Sequence, residues 1–130
     1  MTLNGGRPQV AAYLGHVSME CALKLRMLVA ANARDVTRFR ELQGELADQM
    51  FHGSVGHNIA SLAHHARLTG FLTARRQTVL LGGPVWRRVC GERRPYSLRY
   101  GVERPSAVQA RDEIELIQTI VGLILEEIVA

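Results

Sequence analysis

The strongest constraint on the fold lies near the end of the chain, where apolar residues recur every three or four positions. The ladder consists of Ile114, Ile117, Val121, Ile124 and Ile128, and a neighbouring stripe contains Leu116, Ile120 and Leu123. Such a period places side chains along one side of an α-helix. Ser106 and Gln109 have the spacing of a capping box at its start. Because two adjacent stripes need cover on more than one side, we predict a final helix that packs against several neighbours.

The first long segment also has a helical period. Pro8 suits the first position of a helix, where its missing N–H costs nothing, and the pattern predicts a helix from Pro8 to Asn32. Its apolar stripe consists of Val10, Leu14, Val17, Cys21, Leu25 and Leu28. We expect this stripe to face the core, with Cys21 as a small buried side chain.

The middle of the chain is less regular. The pattern predicts a second, more polar helix over residues 34–52, which Gly44 weakens. It then predicts a break at residues 52–58 and a third helix over residues 58–72. A helical turn closed by Gly82, Gly83 and Pro84 is favoured over a strand, and a short helix should follow around Trp86. Residues 92–105 are predicted to form an arginine-rich loop. The expected fold is therefore all-α: one antiparallel up-and-down bundle of four to five helices over residues 8–130, after a flexible lead at residues 1–7.

Length and composition limit the class of protein. A chain of 130 residues makes one domain. Its longest apolar run is interrupted by Gln118 and Thr119 and is too short to span a membrane, and residues 1–10 lack the features of a signal peptide. Cys21 and Cys90 have no paired spacing, which favours reduced thiols in the cytoplasm.

Charge is distributed unevenly along the sequence. Residues 67–111 contain ten arginines against two acidic residues, whereas residues 112–130 contain five acidic residues and no basic one. A basic segment of this kind is typical of contact with phosphates or with an acidic partner. The alternative is that the acidic last helix neutralises it, within the fold or across a dimer.

Two tyrosines alternate with arginines in the same region. Such interleaving can stack bases while it neutralises phosphates, although it is equally compatible with a tyrosine-pinned loop that lies on the bundle. The candidate nucleic-acid contacts are Arg75, Arg76, Arg87, Arg88, Arg93, Arg94, Tyr96, Arg99 and Tyr100.

Other kinds of site find little support. The histidines include no pair at i and i+4 on a helix, so neither a metal site nor a cofactor is predicted. The ladder Ile114, Ile117, Val121, Ile124 and Ile128 could serve as a homodimer or partner interface, which we expect, or it could lie at the centre of its own bundle.

Three segments, in this order along the chain, resemble the HEPN-domain family. The opening helix has the pattern of Glu20, Ala22, Leu23 and Lys24; a later helix starts with Gly56, His57, Asn58, Ile59 and Leu62; and Trp86 is followed by the segment PYSLRYGV. The resemblance extends from Ala11 to Ile128. It implies an all-helical bundle, commonly dimeric, from prokaryotic toxin–antitoxin, defence or RNA-processing systems, in which some members pair with small nucleotidyltransferases.

Catalytic HEPN proteins are metal-independent ribonucleases in which an arginine is followed, after four to six residues, by a histidine. No histidine of this chain has an arginine at that distance before it. A composite site remains as a weaker candidate, with His57 or His64 approached by Arg67 or Arg99.

The sequence therefore supports three hypotheses about function. The first is a non-catalytic HEPN-like module that binds nucleic acid, RNA in particular, or a nucleotidyltransferase-type protein partner through its arginine-rich segment. The second is a protein–protein interaction subunit, an antitoxin or scaffold, that uses its last helix. The third is a ribonuclease with the composite site.

Overall fold

A computed structural model describes residues 7–51 and 57–129, and over these residues the chain is helical with no strand. Two long helices, α1 (Pro8–Ala30) and α8 (Ala107–Val129), frame the fold. Between them lie α2 (Val36–Leu42), α3 (Gly44–Phe51), α4 (Ile59–His65), α5 (Leu68–Ala74), a 3₁₀ turn (Thr78–Leu81), α6 (Pro84–Val89) and α7 (Tyr96–Arg99). The predicted all-α fold is confirmed. Residues 1–6 of the predicted lead at residues 1–7, and residues 52–56 of the predicted break at residues 52–58, lie outside the described residues.

The two long helices are parallel neighbours. Gly15, near the start of α1, lies beside Ile114 and Ile117 of α8, and Arg26 near the end of α1 forms an ion pair with Glu127 near the end of α8. The predicted antiparallel arrangement therefore does not apply to this pair. The segment that precedes α8 runs antiparallel to it. Arg75 pairs with Glu127 near the end of α8, and Arg88, later in the segment, pairs with Glu113 near its start.

Two of the predicted helices are each divided in two. The second breaks at Gln43, whose backbone is not helical (φ −139°, ψ 49°), next to the weak helix former Gly44. The third breaks at Arg67, which adopts a left-handed conformation with φ 56°. The 3₁₀ turn and α6 confirm the predicted helical turn and short helix, whereas the predicted loop at residues 92–105 contains α7.

The last helix lies in the core. Ile117, Ile120 and Ile124 are buried in the main apolar cluster, and Val121 and Ile128 pack against it while half-buried. Burial of α8 on more than one side is thus confirmed. This burial corrects the predicted dimer interface of Ile114, Ile117, Val121, Ile124 and Ile128 in part. Ile117 and Ile124 are buried in the chain's own core, whereas Ile114, beside Gly15 of α1, and Val121 and Ile128 are half-buried.

The prediction that this apolar stripe of α1 faces the core is wrong for Leu14, Cys21 and Leu25, whereas Leu28 packs against the core. Leu14 is 51% exposed, Leu25 is 37% exposed and Cys21 is exposed. The buried side of α1 consists of Ala11, Ala12, His16, Met19, Glu20, Ala22, Leu23 and Met27. Close packing on α8 contributes to the choice, because a Cβ at Gly15 would already lie 3.5 Å from atoms of α8. Glycine and alanine let the two long helices approach closely, while Met19, Leu23 and Met27 on the same side fill the main core.

No helix within residues 7–51 or 57–129 combines the length and the apolar character needed to cross a membrane.

Candidate functional site

A cleft of about 750 Å³ lies between α1 and residues 92–102, which is within the usual size range of small-ligand sites. Helix α1 contributes Tyr13, Val17 and Glu20; the segment across the cleft contributes Arg93, Tyr96 and Arg99, among others; and His57 lies just before α4. Titratable, cationic and aromatic side chains thus share one concave surface. Below, "the cleft" means this surface.

A buried ion-pair network holds one wall of the cleft. Arg94 is only 4% exposed and donates hydrogen bonds to Glu103 and Glu113. Ser97 Oγ donates to the same Glu103 at 2.9 Å. Beside this network, buried Leu98 packs on Ala12 and Ala110. Residues 92–103 are therefore fixed against both long helices.

Arg94 and Glu103 remain charged in this network. Burial alone would lower the pKa of Arg94, but the hydrogen bonds that it donates to Glu103 and Glu113 outweigh this effect and raise the pKa above the ordinary guanidinium value. The hydrogen bond from Arg94 in turn holds the pKa of Glu103 below its usual range. Because its guanidinium is enclosed and fully paired, Arg94 is corrected from a nucleic-acid contact to a residue that supports the cleft.

Two other candidate arginines also pair with the last helix. Arg75 Nη2 lies 2.8 Å from Glu127 Oε2, and its guanidinium lies 3.8 Å from the ring centre of Phe71. Arg88 Nε lies 3.2 Å from Glu113 Oε2. The carboxylates of α8 thus neutralise Arg75, Arg88 and Arg94 within the chain, as the alternative reading of the charge pattern predicted.

The remaining candidates are exposed. Arg93 and Arg99 line the cleft, and the Arg93 guanidinium has neither a hydrogen bond nor an ion pair within the described residues. The rings of Tyr96 and Tyr100 lie 4.5 Å apart and are 67% and 59% exposed, so they do not pin the segment to the bundle. Arg76 and Arg87 are exposed as well but lie outside the cleft.

His57 is held by a carboxylate. Its Nδ1 lies 2.9 Å from Glu20 Oε1, and Glu20, which is itself buried, also accepts a hydrogen bond from Lys24 at 3.0 Å. Since the carboxylate only accepts, Nδ1 of His57 carries the proton. The other ring nitrogen, Nε2, has no hydrogen-bond partner within residues 7–51 and 57–129. The ring is 60% exposed.

His16 holds the backbone at His57. Its Nε2 lies 3.1 Å from the carbonyl oxygen of His57 and must donate to it. Burial lowers the pKa of His16, so the ring is neutral and its buried Nδ1, which has no partner in the described part of the chain, carries no proton.

Only one of the composite pairs shares the cleft. His57 and Arg99 both line it, whereas His64 and Arg67 lie at a separate hollow beside Met27 and Phe39. Burial raises the pKa of the Cys90 thiol to about 11, so this cysteine remains protonated at neutral pH. The described residues hold no group of three or more metal-ligating side chains.

Sequence reasoning missed the contribution of α1 to the site. Tyr13 gives no local signal of a site, and Glu20 and Lys24 have the i,i+4 spacing of an ordinary ion pair on a helix surface. The pair forms, but Glu20 is buried and shared with His57, which lies 37 residues further along the chain. The local sequence carries no signal for a contact over that separation.

Comparisons with protein-family models, curated proteins and solved structures found no match to this chain. The HEPN resemblance therefore remains a prediction, beside a fold that is an all-helical bundle.

Proposed function

We propose that this chain is a non-catalytic, HEPN-like module of a prokaryotic defence or toxin–antitoxin system that captures single-stranded nucleic acid, RNA in particular, in the cleft. Arg93 and Arg99 would neutralise phosphates, and Tyr96 would stack a base. The observation that carries the proposal is the Arg93 guanidinium, which lacks a partner within the described residues and lies with Arg99 and an exposed tyrosine ring on a wall fixed by buried Arg94.

The shape and charge of the cleft favour a single strand over a duplex. A strand can turn an unpaired base onto an aromatic ring, and base–aromatic stacking tolerates any sequence. A duplex would need an extended basic surface, yet three of the seven candidate arginines are already paired with α8 or its neighbour Glu103.

Salt dependence tests the proposal. Two neutralised phosphates of a single strand give an affinity that falls about sevenfold between about 50 and 200 mM salt, whereas four would give about fiftyfold. We expect the smaller value with RNA of about ten nucleotides. The double variant Arg93→Ala/Arg99→Ala should lose most binding and nearly all of its salt dependence.

The matched control removes the same charge elsewhere. Arg76→Ala/Arg87→Ala changes two exposed arginines outside the cleft and should leave the affinity within about twofold, because neither side chain reaches the bound strand. Equal losses in the two double variants would contradict a cleft-centred site. The RNA should stay intact; cleavage that His57→Ala abolishes would instead support the composite ribonuclease.

The outer side of α1 favours a second candidate, self-association as an interaction subunit. Leu14, Cys21, Leu25 and Val29 are exposed there, and Lys24 of the same helix is already paired with Glu20. Two copies packed antiparallel about Cys21 would place Leu14 of one copy opposite Val29 of the other. Because the chain has a net charge of +4, an uncharged apolar surface is where a second copy meets least repulsion.

Light scattering after size exclusion tests this candidate. Leu14→Asp/Leu25→Asp should convert a dimer into a monomer, whereas Val79→Asp, a change at a position that is 79% exposed on the 3₁₀ turn, should not. A wild-type chain that is monomeric at all concentrations would exclude it.

A further inference from the structure

We infer that His57 is a ligand-binding residue of the cleft and that it takes up a proton when a phosphate binds. The inference rests on the proposed function, since it concerns the same cleft and the same class of ligand.

The orientation of the ring provides the first argument. Glu20 accepts from Nδ1 of His57 at 2.9 Å, which leaves Nε2 as the ring nitrogen available to a ligand in a cleft that His57 lines. Neutral imidazole would present a lone pair at Nε2, which repels a phosphate oxygen. Protonated imidazole would present an N–H that donates to it, with Glu20 stabilising the positive charge from the other side.

The charges around the ring provide the second argument. From α1, Glu20 favours a proton on His57, while Lys24 is already paired with Glu20 and His16 is neutral. Across the cleft, Arg93 and Arg99 disfavour a further positive charge, and Glu92 opposes them in part. Arg94 is neutralised by its own carboxylates, and the remaining titratable side chains of the lining are Tyr13 and Tyr96.

A bound phosphate changes this balance. It neutralises the guanidinium groups that oppose protonation and adds a negative charge that favours it, so the phosphate and the proton each strengthen binding of the other. The proton comes from solvent and resides on Nε2 in the hydrogen bond to the phosphate oxygen. The only bond formed is Nε2–H, with solvent as the proton donor, and the phosphate itself undergoes no chemical change.

The test measures affinity against pH for RNA with hydroxyl ends, because its phosphodiesters keep one charge each throughout the range. At constant ionic strength, the wild-type chain should bind about tenfold tighter near pH 6 than near pH 8, within the limit of one proton. His57→Gln should abolish the difference and match the wild-type affinity near pH 8. Glu20→Gln should reduce the difference, whereas His65→Gln, an exposed histidine outside the cleft, should preserve it.

A second measurement uses the wild-type chain alone. The ring nitrogen resonances of His57 should shift to those of imidazolium when RNA is added near neutral pH, a readout that does not depend on any variant folding. Salt-dependent binding that Arg93→Ala/Arg99→Ala removes, but with no pH dependence and no change at His57, would overturn this inference and leave the proposed function standing. Absence of salt-dependent binding would overturn both.

Discussion

Arg94 links the cleft to the core through a single guanidinium group. It has carboxylate partners on two sides, Glu103 in its own segment and Glu113 on α8; Arg94 and Glu113 are buried and costly to leave unpaired, whereas Glu103 is 37% exposed. We therefore expect Arg94→Met to lower the free energy of unfolding by about 3 kcal/mol, because buried Glu113 would keep only the partly exposed Arg88 as a partner. Denaturant unfolding measures the change.

The neighbouring exposed arginine provides the control for this prediction. Arg93→Met removes the same charge from a side chain without a protein partner in the described residues and should change the free energy of unfolding by about 0.5 kcal/mol or less. Similar losses at the two positions would contradict the structural role of Arg94.

His16 predicts a specific loss of stability in mild acid. Burial lowers its pKa in the folded chain, so below about pH 6.5 the unfolded chain binds a proton that the folded chain does not. The free energy of unfolding should therefore fall as the pH drops from about 7.5 to about 5.5. In His16→Gln, whose amide can still donate to the carbonyl of His57, this fall should be smaller, and in His65→Gln it should be unchanged.

Equal pH dependence in wild type and His16→Gln would show that another group is responsible. Thermal unfolding at each pH, monitored by circular dichroism, makes the comparison.

Some residues of the candidate site could be predicted from the sequence, and others could not. Arg93, Tyr96 and Arg99 were predicted because alternating charge and aromatic character is a local signal. Arg94 has the same local signal, but its carboxylates come 9 and 19 residues later, and only the fold shows that it is enclosed. The contact between Glu20 and His57 depends entirely on how α1 and α4 pack.

At the scale of elements, close packing of α1 on α8 decides which side of α1 is buried. Gly15→Ala should be tolerated or stabilising by about 0.5–1 kcal/mol, because a Cβ at 3.5 Å makes an ordinary contact and alanine favours helix. Gly15→Leu should destabilise the chain by about 1–3 kcal/mol, since it overfills the contact. Denaturant unfolding distinguishes the two outcomes.

Gly70 of α5 provides the control, because a Cβ there meets nothing within 4 Å. Gly70→Leu should therefore avoid the overpacking cost. Equal free energies of unfolding for Gly15→Leu and Gly15→Ala would contradict the close approach of the two long helices.

The existence of the helices was easier to predict than the sides they bury. The ladder of α8 has apolar residues on a wide arc, so every orientation buries much of it, and its burial was predicted correctly. Helix α1 is apolar on two sides, and periodicity alone does not choose between them. Packing selects the side that carries Met19 and Leu23 beside the small residues Ala12 and Gly15, because the period does not encode which side fits the neighbouring helix.

At the scale of the whole molecule, the arginines of the basic segment divide into those paired with carboxylates inside the fold and those exposed at the cleft. Glu113 and Glu127 of α8 pair with arginines inside the fold, while Arg93 and Arg99 lie at the cleft beside an exposed tyrosine. A count along the sequence cannot make this division, since all these arginines belong to one basic segment. The division reduces a broad basic region to one candidate site.

The most direct test is to map the backbone amide resonances that shift when a short single-stranded RNA is titrated into the labelled protein. We predict that the largest changes occur in the cleft, at Tyr13, Val17, His57 and residues 92–102, and that they diminish as salt is raised. Changes centred instead on Arg76 and Arg87, or no changes at low salt, would contradict the cleft as the site of binding.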